Sequence, residues 1–123
     1  MGIRRAVPNL RVGDDGGVAA KTAFYVGLGF EVVMDLGWVV TVAAPGNPTA
    51  QVTFLGADPS GLHPDVSVEV GDVDAVYASV VEGGGEVVYP IRDEEWGVRR
   101  FFVRDPDGVV VNVVGHRMGG VDG

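Results

Sequence analysis

One amide interrupts an otherwise apolar stretch of this sequence. In DPDGVVVNVVGH, residues 105–116, a turn signal precedes a run of valines in which Asn112 is the polar exception. A polar side chain inside so apolar a strand needs a hydrogen-bonding partner or a purpose. An asparagine carries a donor and an acceptor, so two roles stay open for Asn112: a contact to a ligand, or a link between neighbouring strands.

Strand alternation collects further polar side chains on shared faces. In DVSVEV (65–70) the valines occupy one face, while Asp65, Ser67 and Glu69 share the other. The corresponding polar faces of VPNLRV (7–12) and QVTFL (51–55) include Asn9 and Gln51. These faces are either solvated, as one side of an antiparallel sheet often is, or they line a binding cavity.

The two tryptophans and two arginines add possible ligand contacts. In EEWGVRR (94–100), Trp96 can stack on a cationic heteroaromatic group whose charge the preceding glutamates match. The alternative for Trp96 is a loop anchor at a dimer seam, and for Trp38 it is ordinary strand packing. Alternation points Arg99 and Arg100 in opposite directions, so one of them can enter a pocket and bind a carboxylate or phosphate.

Composition and charge exclude several function classes. The chain has no cysteine, which excludes disulfides, thiolate metal sites and cysteine nucleophiles. A formal net charge of -8 disfavours nucleic acids and anionic membranes as partners. No apolar run approaches a transmembrane length, and the N-terminal residues do not resemble a signal peptide, so we expect a cytoplasmic location. The glycine-rich segments GLGF and GGGE follow helical patterns and therefore predict helix stops, since phosphate loops precede helices.

The elements that must position these residues occur twice. RVGDDGGVAAKTAFYVGLGFEVV (11–33) echoes EVGDVDAVYASVVEGGGEVV (69–88): each has a strand end, Val-Gly-Asp, a helical stretch, a glycine-rich stop and Glu-Val-Val. The second helix has its cap at Asp72 and a left-handed stop at Gly83. Its predicted apolar face consists of Val73, Val76, Tyr77, Val80 and Val81. The first helix is capped by Asp14 or Asp15, ends at Gly27 and Gly29, and has an apolar face of Ala20, Ala23, Phe24 and Leu28.

Strands surround both predicted helices. They are expected near 4–12, 30–35, 38–44, 50–56, 65–70, 85–89, 98–104 and 109–115. Each half is therefore predicted to contain one strand, one helix and three further strands, in that order. We predict a single domain over 1–123, with module one at about 3–56, a linker at 57–64, module two at about 65–116 and a tail at 117–123.

This duplicated βαβββ layout resembles the vicinal oxygen chelate superfamily, which contains glyoxalase I, extradiol dioxygenases and bleomycin resistance proteins. The resemblance is carried by AFYVGLGFEVV (23–33), VEVGDVDAVY (68–77) and EEWGVRRFFVRDPDGVVVNVV (94–114). It implies an α+β fold in which two tandem βαβββ modules form curved mixed sheets around a cavity. It also implies a homodimer.

The resemblance further implies where a metal would be held. Enzymes of the family bind one divalent metal through four side chains, usually His and Glu, and the matching positions here are Val7, Gln51, Asp65 and Asn112. Valine cannot ligate, amides are weak ligands for transition metals, and only Asp65 carries charge. We therefore expect no metal and no other cofactor. His63 and His116 are expected to be solvated.

The interpretation we favour is a binding protein that resembles the bleomycin resistance branch and sequesters an aromatic or cationic ligand, such as an antibiotic-like natural product, without changing it. The expected ligand contacts are Asn9, Trp38, Gln51, Asp65, Ser67, Glu69, Trp96, Arg99 and Asn112. One alternative is a metal-dependent lyase, isomerase or dioxygenase with unusual ligands. A second is a structural or interaction module without a pocket.

Overall fold

The computed structural model describes residues 2–13 and 17–116. Its elements in chain order are β1 (Ile3–Arg11), α1 (Gly17–Gly27), β2 (Glu31–Asp35), β3 (Val39–Ala44), β4 (Asn47–Leu55), β5 (Val66–Val70), α2 (Val73–Glu82), β6 (Glu86–Asp93), β7 (Val98–Arg104) and β8 (Val110–His116). All eight predicted strands and both predicted helices are present, and the α+β class is confirmed. Within the described ranges no helix is long and apolar enough to cross a membrane. The predicted caps Asp14 and Asp15 and the tail at 117–123 lie outside the described residues.

The chain divides into two compact units. The N-terminal unit is Val7–Asp65, and the C-terminal unit combines Met1–Ala6 with Val66–Gly123. The N-terminal unit orders its strands β2-β3-β4-β1, and the C-terminal unit orders them β5-β8-β7-β6. In each sheet the first strand of the repeat pairs in parallel with the last one, while the other pairs are antiparallel. The two repeats therefore build the same mixed sheet twice.

Helix α2 begins and ends close to the predicted residues. The Asp72 carboxylate accepts a hydrogen bond from the backbone N–H of Ala75 at 3.0 Å, which confirms the N-cap. The predicted left-handed stop is wrong by one residue: Gly83 has a φ of -81° and Gly84 a φ of 82°. Val81 is also misassigned, since 52% of it is exposed. It lies beside the face that packs on the sheet.

Helix α1 presents a different face from the one predicted. The partly buried residues Val18 and Tyr25 pack against the sheet. Phe24 and Leu28, predicted to be buried, are 63% and 64% exposed. The prediction failed because α1 is apolar on two sides, and helical periodicity cannot tell which apolar side the sheet covers.

Each unit has its own hydrophobic core between its sheet and its helix. Val40, Val42 and Phe54 form the buried centre in the N-terminal unit. Val70, Val73, Phe101 and Val113 form it in the C-terminal unit. Because side chains alternate along a strand, the intervening residues point away from the helix. That side of each sheet is called the helix-free face below.

The hairpin between β7 and β8 is fixed by the predicted DPDG turn. The Asp105 carboxylate accepts hydrogen bonds from the backbone N–H groups of Asp107 and Val109, both at 2.9 Å. Gly108 has a φ of 88°, a left-handed conformation that glycine adopts at little cost. This turn sets the register that places Asn112 on the helix-free face.

Candidate functional site

Two rows of paired residues cross the helix-free face of the C-terminal unit. Strand pairing aligns the first row, which runs Ser67, Asn112, Phe102 and Tyr89 from β5 to β6. The adjacent row is Glu69, Val114, Arg100 and Arg92. Predicted ligand contacts from β5 and β8 thus lie side by side.

Asn112 is the centre of the first row. Its Nδ2 donates a hydrogen bond to Ser67 Oγ at 3.0 Å, so it does link two strands. Only 8% of the residue is exposed. Its Oδ1 is buried, and among the described residues it has no hydrogen-bond partner. Turning the amide over would exchange the two atoms and still leave one polar group unmatched.

A buried cation lies beside this row. Arg100 is 3% exposed, and its Nε donates to Glu94 Oε2 at 2.7 Å. Its guanidinium carbon lies 5.3 Å from the centroid of the Tyr89 ring, 4.9 Å from that of Trp96 and 4.8 Å from that of Phe102. The cation that Trp96 stacks on and Glu94 neutralises is therefore the chain's own Arg100, whereas the sequence suggested a ligand.

Tyr89 completes the charged cluster. Its hydroxyl donates to Glu94 Oε2 at 2.7 Å, the same oxygen that Arg100 contacts. Burial, and next the hydrogen bond to Glu94, raises the pKa of the Tyr89 hydroxyl above its usual value. The phenol is thus held in its neutral, donating form.

Arg99 lies on the other side of β7. Its guanidinium contacts Asp74 of α2 at 3.0 Å and Asp93 at 3.1 Å. These carboxylates, Asp93 first, raise the pKa of Arg99. The prediction that groups Arg99 with Trp96 and Asn112 is corrected: Arg100 shares their face, and Arg99 pairs on the helix side. Sequence reasoning could not choose because RRFF (99–102) places one arginine and one phenylalanine on each face of the strand.

Glu69 is held at the other end of the second row. Its Oε1 accepts from Arg5 Nε at 2.6 Å, and its Oε2 lies 3.4 Å from His116 Nε2. The carboxylate itself is largely buried, whereas His116 is exposed as predicted. Both oxygens of Glu69 therefore already face a basic group.

The N-terminal unit carries the equivalent row of Asn9, Thr53, Thr41 and Met34. Here the polar groups satisfy one another. The hydroxyls of Thr41 and Thr53 hydrogen-bond at 2.8 Å, and Asn9 Nδ2 donates to the Pro64 carbonyl at 3.2 Å. All three polar side chains of the row are buried.

The other predicted contacts of the N-terminal unit are less enclosed. Gln51 is half-buried, and its Nε2 donates to the Pro48 carbonyl at 2.9 Å. Trp38 is half-buried, with its carbonyl accepting from the Gly56 N–H at 2.8 Å. Asp65 is exposed, and its Oδ1 lies 3.9 Å from Arg11 Nη2.

His63 is largely buried, whereas the sequence predicted a solvated side chain. Its side chain is 13% exposed, and both ring nitrogens are buried without a hydrogen-bond partner in the described part of the chain. Nδ1 lies 3.6 Å from Asp65 Oδ1, which is too long for a hydrogen bond.

The strand pairing of the two repeats shows which residues are equivalent at the metal-ligand positions implied by the resemblance. Asn9 pairs with Thr53 as Ser67 pairs with Asn112, so the strand register makes Thr53 the counterpart of Asn112. Gln51, assigned to that position from the sequence, lies two residues earlier on the same face. Val7, a buried apolar side chain, corresponds to Asp65 in the other repeat.

These residues do not fit a catalytic divalent metal. Thr53 and Asn112 offer neutral oxygens, Val7 offers none, and transition metals prefer imidazole, thiolate or carboxylate ligands. Thr53 Oγ and Asn112 Nδ2 are also engaged in hydrogen bonds within their own sheets. Across residues 2–13 and 17–116, no group of three or more His, Asp or Glu side chains is placed to hold a metal ion.

The burial of these side chains tests whether the polar strand faces are simply exposed to solvent. Five polar residues of the helix-free faces are buried even though no helix covers them: Asn9, Thr41, Thr53, Arg100 and Asn112. The interpretation as a simply solvated sheet face is therefore wrong for these positions. Sequence reasoning missed Tyr89 and Phe102 as their neighbours and gave Glu94 a role beside a ligand cation only. The alternation in VRRFFVR (98–104) contained the signal for Phe102.

Comparison with known proteins gives a family match over most of the chain. The sequence profile described as "Glyoxalase/Bleomycin resistance protein/Dioxygenase superfamily" matches residues 9–113. A curated relative in both Mycobacterium bovis and Mycobacterium tuberculosis, "Putative glyoxylase CFP32", is 37% identical over 79 residues. That match covers 63% of this chain and 27% of the relative's length.

Solved structures agree on the fold. A superfamily member from Vibrio splendidus has a TM-score of 0.65 at 23% identity, covering 90% of this chain and 97% of the other. Methylmalonyl-CoA epimerase from Mycobacterium tuberculosis has a TM-score of 0.67 at 20% identity, covering 96% and 89%. At these identities the likeness concerns the fold alone.

Proposed function

This chain belongs to the glyoxalase/bleomycin resistance protein/dioxygenase superfamily, and on that premise we propose that it binds a small molecule and sequesters it unchanged. The ligand is an aromatic or cationic compound that carries an N–H or O–H group. Its contacts centre on the helix-free face of the C-terminal unit. Sequestration of an antibiotic-like natural product is the role that we propose for this binding.

The observation that carries the proposal is the unmatched Oδ1 of Asn112. A buried polar atom without a partner costs about 1–3 kcal/mol, so such atoms are rare unless they serve a purpose. Asn112 also occupies the position at which the resemblance implies a metal-binding glutamate. A carbonyl oxygen at that point is suited to accept a hydrogen bond from a ligand. The ligand's donor would supply the partner that Oδ1 lacks.

The surrounding residues favour a flat ligand. Tyr89 continues the row beyond Asn112 with a half-buried ring that packs on the fully buried Phe102, their ring centroids 4.7 Å apart. Aromatic side chains provide large apolar contact area at low conformational cost. Trp96 and Glu94 hold Arg100 in place, so they support the wall of the site and are not free to hold a cationic ligand. A cationic group would instead be attracted by the chain's overall negative charge.

Thermal unfolding with paired probe compounds tests this proposal. Indole carries an N–H donor and 1-methylindole does not, and benzamidinium represents an aromatic cation with donors. We expect indole or benzamidinium to raise Tm while 1-methylindole does not. At a concentration of about 100 times Kd, the stabilisation is about 2.7 kcal/mol, which is roughly 10 °C for a domain of this size.

Asn112→Leu and Thr53→Val supply the matched variants. Leu has a volume close to that of Asn and removes the acceptor, so the ligand-dependent rise in Tm should disappear. Thr53→Val alters the equivalent position of the other repeat and should keep the rise. Equal shifts with indole and 1-methylindole, or a full shift in Asn112→Leu, would refute the role of Asn112. No shift with any probe or with a wider set of planar compounds would favour the non-binding module.

A metal-dependent lyase, isomerase or dioxygenase is the alternative, and elemental analysis separates it from the binder. Protein purified without chelator or affinity metal should contain much less than one Ni, Zn, Mn or Fe per chain, because the residues at the expected positions are poor ligands. One tightly held metal per chain would overturn this assignment and make the enzyme the leading function.

A further inference from the structure

Arg92 reaches the helix-free face of the C-terminal unit through an irregularity in β6. Two aligned pairs of β6 and β7 lie here, Tyr89 with Phe102 and Arg92 with Arg100. Between these pairs β6 advances by three residues and β7 by two, whereas residues three apart in a regular strand point to opposite faces. The bulge therefore brings Arg92 to the side of Tyr89, and its guanidinium carbon lies 5.9 Å from the centroid of that ring. Bulges next to binding sites commonly re-aim a side chain in this way.

The Arg92 side chain is exposed and weakly paired. Its side chain is 61% exposed, and its Nε lies 3.5 Å from Glu94 Oε1. Arg100 is held much more firmly, with a buried side chain whose Nε lies 2.7 Å from Glu94 Oε2. Among the residues that the structure describes, Glu94 is the one carboxylate at ion-pair distance from Arg92. The guanidinium of Arg92 is therefore accessible to a bound ligand.

The charges around Arg92 are not balanced. Two guanidinium groups, those of Arg92 and Arg100, share the single Glu94 carboxylate. The adjacent carboxylate of Asp93 pairs with Arg99 on the helix side of the sheet. The cluster on the helix-free face thus has one positive charge in excess, although the whole chain has a formal net charge of -8. A local charge opposite in sign to that of the chain favours an acidic group at this place.

The excess charge matches a carboxylate better than a phosphate. The planar guanidinium of an arginine can bind a carboxylate through two parallel N–H···O hydrogen bonds. One such group neutralises the single excess charge of the cluster. A phosphate monoester has a charge of about -1.5 to -2 at pH 7 and would remain only partly neutralised.

The separation of Arg92 from Asn112 sets the length of the ligand. Arg92 belongs to β6 and Asn112 to β8, and these strands are two strand spacings apart, about 10 Å. One aromatic ring with a donor at one end and a carboxylate at the other, together with its two hydrogen bonds, spans about this distance. The half-buried Tyr89 ring lies between the two ends and offers a flat contact.

We propose that the ligand of this site is an aromatic carboxylate whose acidic group binds Arg92 and whose N–H or O–H group donates to Asn112. This inference rests on the proposed function and specifies its ligand. Of the aromatic and cationic compounds, it selects aromatic ones that carry an acidic group. Arg92 is then the residue that distinguishes an acid from its neutral analogue.

Isothermal titration calorimetry with two matched probes tests the proposal. 4-Hydroxybenzoate and 4-hydroxybenzamide share the ring and the phenol O–H and differ in the charge of the second group. The wild-type chain should bind the carboxylate about 10-fold more tightly than the amide, because charge-assisted hydrogen bonds are stronger than neutral ones. The preference should shrink as NaCl is added, since salt screens an exposed charge.

Three variants separate the acid contact from the rest of the site. Arg92→Gln should remove the preference for the carboxylate. Arg104→Gln removes another exposed arginine, which pairs with Glu86 at 3.1 Å at the far end of β7, and should keep the preference. Asn112→Leu should weaken the binding of both probes alike, because both donate through the phenol O–H. Far-UV circular dichroism checks that all variants are folded.

The outcomes distinguish this proposal from the proposed function. Equal affinities of the wild-type chain for the two probes, no binding of 4-hydroxybenzoate, or a preference that survives Arg92→Gln would each overturn the aromatic carboxylate. If indole still raises Tm in those cases, the proposed function stands without it. If neither the two probes nor indole binds, both are wrong.

Discussion

The two units apply one strand plan to two different polar faces. In the N-terminal unit the row Asn9–Thr53–Thr41–Met34 is neutral, and its polar groups bond to one another or to backbone. In the C-terminal unit the row Ser67–Asn112–Phe102–Tyr89 lies beside a buried ion pair and retains an unmatched oxygen. The backbone is repeated while the polar chemistry is not.

Under the proposed function, the polar row of the N-terminal unit contributes stability and that of the C-terminal unit binds the ligand. A hydrogen bond such as Thr41–Thr53 closes a face without a ligand. The arrangement around Asn112 is only partly satisfied, which is tolerable where a ligand completes it. Function in such folds is carried by particular side chains on a common scaffold. Single substitutions at equivalent positions of the two units therefore test this difference.

The largest expected difference concerns Arg100 and Val39, which occupy equivalent places in the rows Glu69–Val114–Arg100 and Arg11–Leu55–Val39. Arg100→Ala leaves the buried Glu94 carboxylate with only the largely exposed Arg92, whose Nε lies 3.5 Å from Oε1, as a cationic neighbour, so we expect the free energy of unfolding to fall by about 3 kcal/mol. Val39→Ala removes only apolar contacts and should cost about 2 kcal/mol. Urea unfolding monitored by tryptophan fluorescence and circular dichroism measures both.

A double substitution identifies the cause of the Arg100 effect. Glu94→Leu combined with Arg100→Leu removes both charges and should recover part of the loss seen in Arg100→Ala, because no buried carboxylate stays unpaired. A cost for Arg100→Ala below that for Val39→Ala would mean that the ion pair does not distinguish the two units.

A smaller difference is expected between Thr53→Val and Asn112→Leu in the absence of ligand. Thr53→Val deprives the buried Thr41 hydroxyl of its 2.8 Å hydrogen bond and should cost about 1–2 kcal/mol. Asn112→Leu removes the unmatched oxygen but also the 3.0 Å hydrogen bond to the half-buried Ser67, so the two effects partly offset and the cost should stay below about 1 kcal/mol. Equal costs in chemical unfolding would show that both faces are equally satisfied.

The smallest effect concerns alkaline pH. The Tyr89 hydroxyl has a pKa above its unfolded value, so the folded chain retains this proton when the unfolded chain begins to lose it. Its contribution to stability is complete below about pH 10 and is lost as pH rises through the folded pKa. Tyr89→Phe should therefore show a shallower decline of unfolding free energy above that pH. Parallel pH curves for the two proteins would contradict this account.

Much of the fold followed from the sequence because two periodicities were clear. Alternating valines predicted the strands, and the cap at Asp72 with the apolar spacing predicted α2. The buried face of α1 was wrong because Phe24 and Tyr25 are adjacent, equally apolar, and only the sheet decides which one is covered. Propensity and pattern cannot supply that tertiary information.

The strand faces of several candidate residues were predictable from the sequence, and their contacts were less so. Alternation placed Ser67 and Glu69 on one strand face, and the pairing of β5 with β8 brings Asn112 to Ser67. The choice between Arg99 and Arg100 stayed open because each face of β7 carries one of the two arginines and one phenylalanine. Burial of His63 depended on how the segment before β5 packs. Such long-range geometry leaves no local signal.

The irregular β6 strand has a further consequence for how the chain behaves at high concentration. β6 lies at the end of the C-terminal strand order, contains Pro90, and has register shifts between Val87 and Tyr89 and between Tyr89 and Arg92. Proline donates no backbone hydrogen bond, and bulges interrupt a regular ladder. An irregular edge strand of this kind is a poor template for strand addition by another molecule. This irregularity disfavours fibril growth in a valine-rich chain.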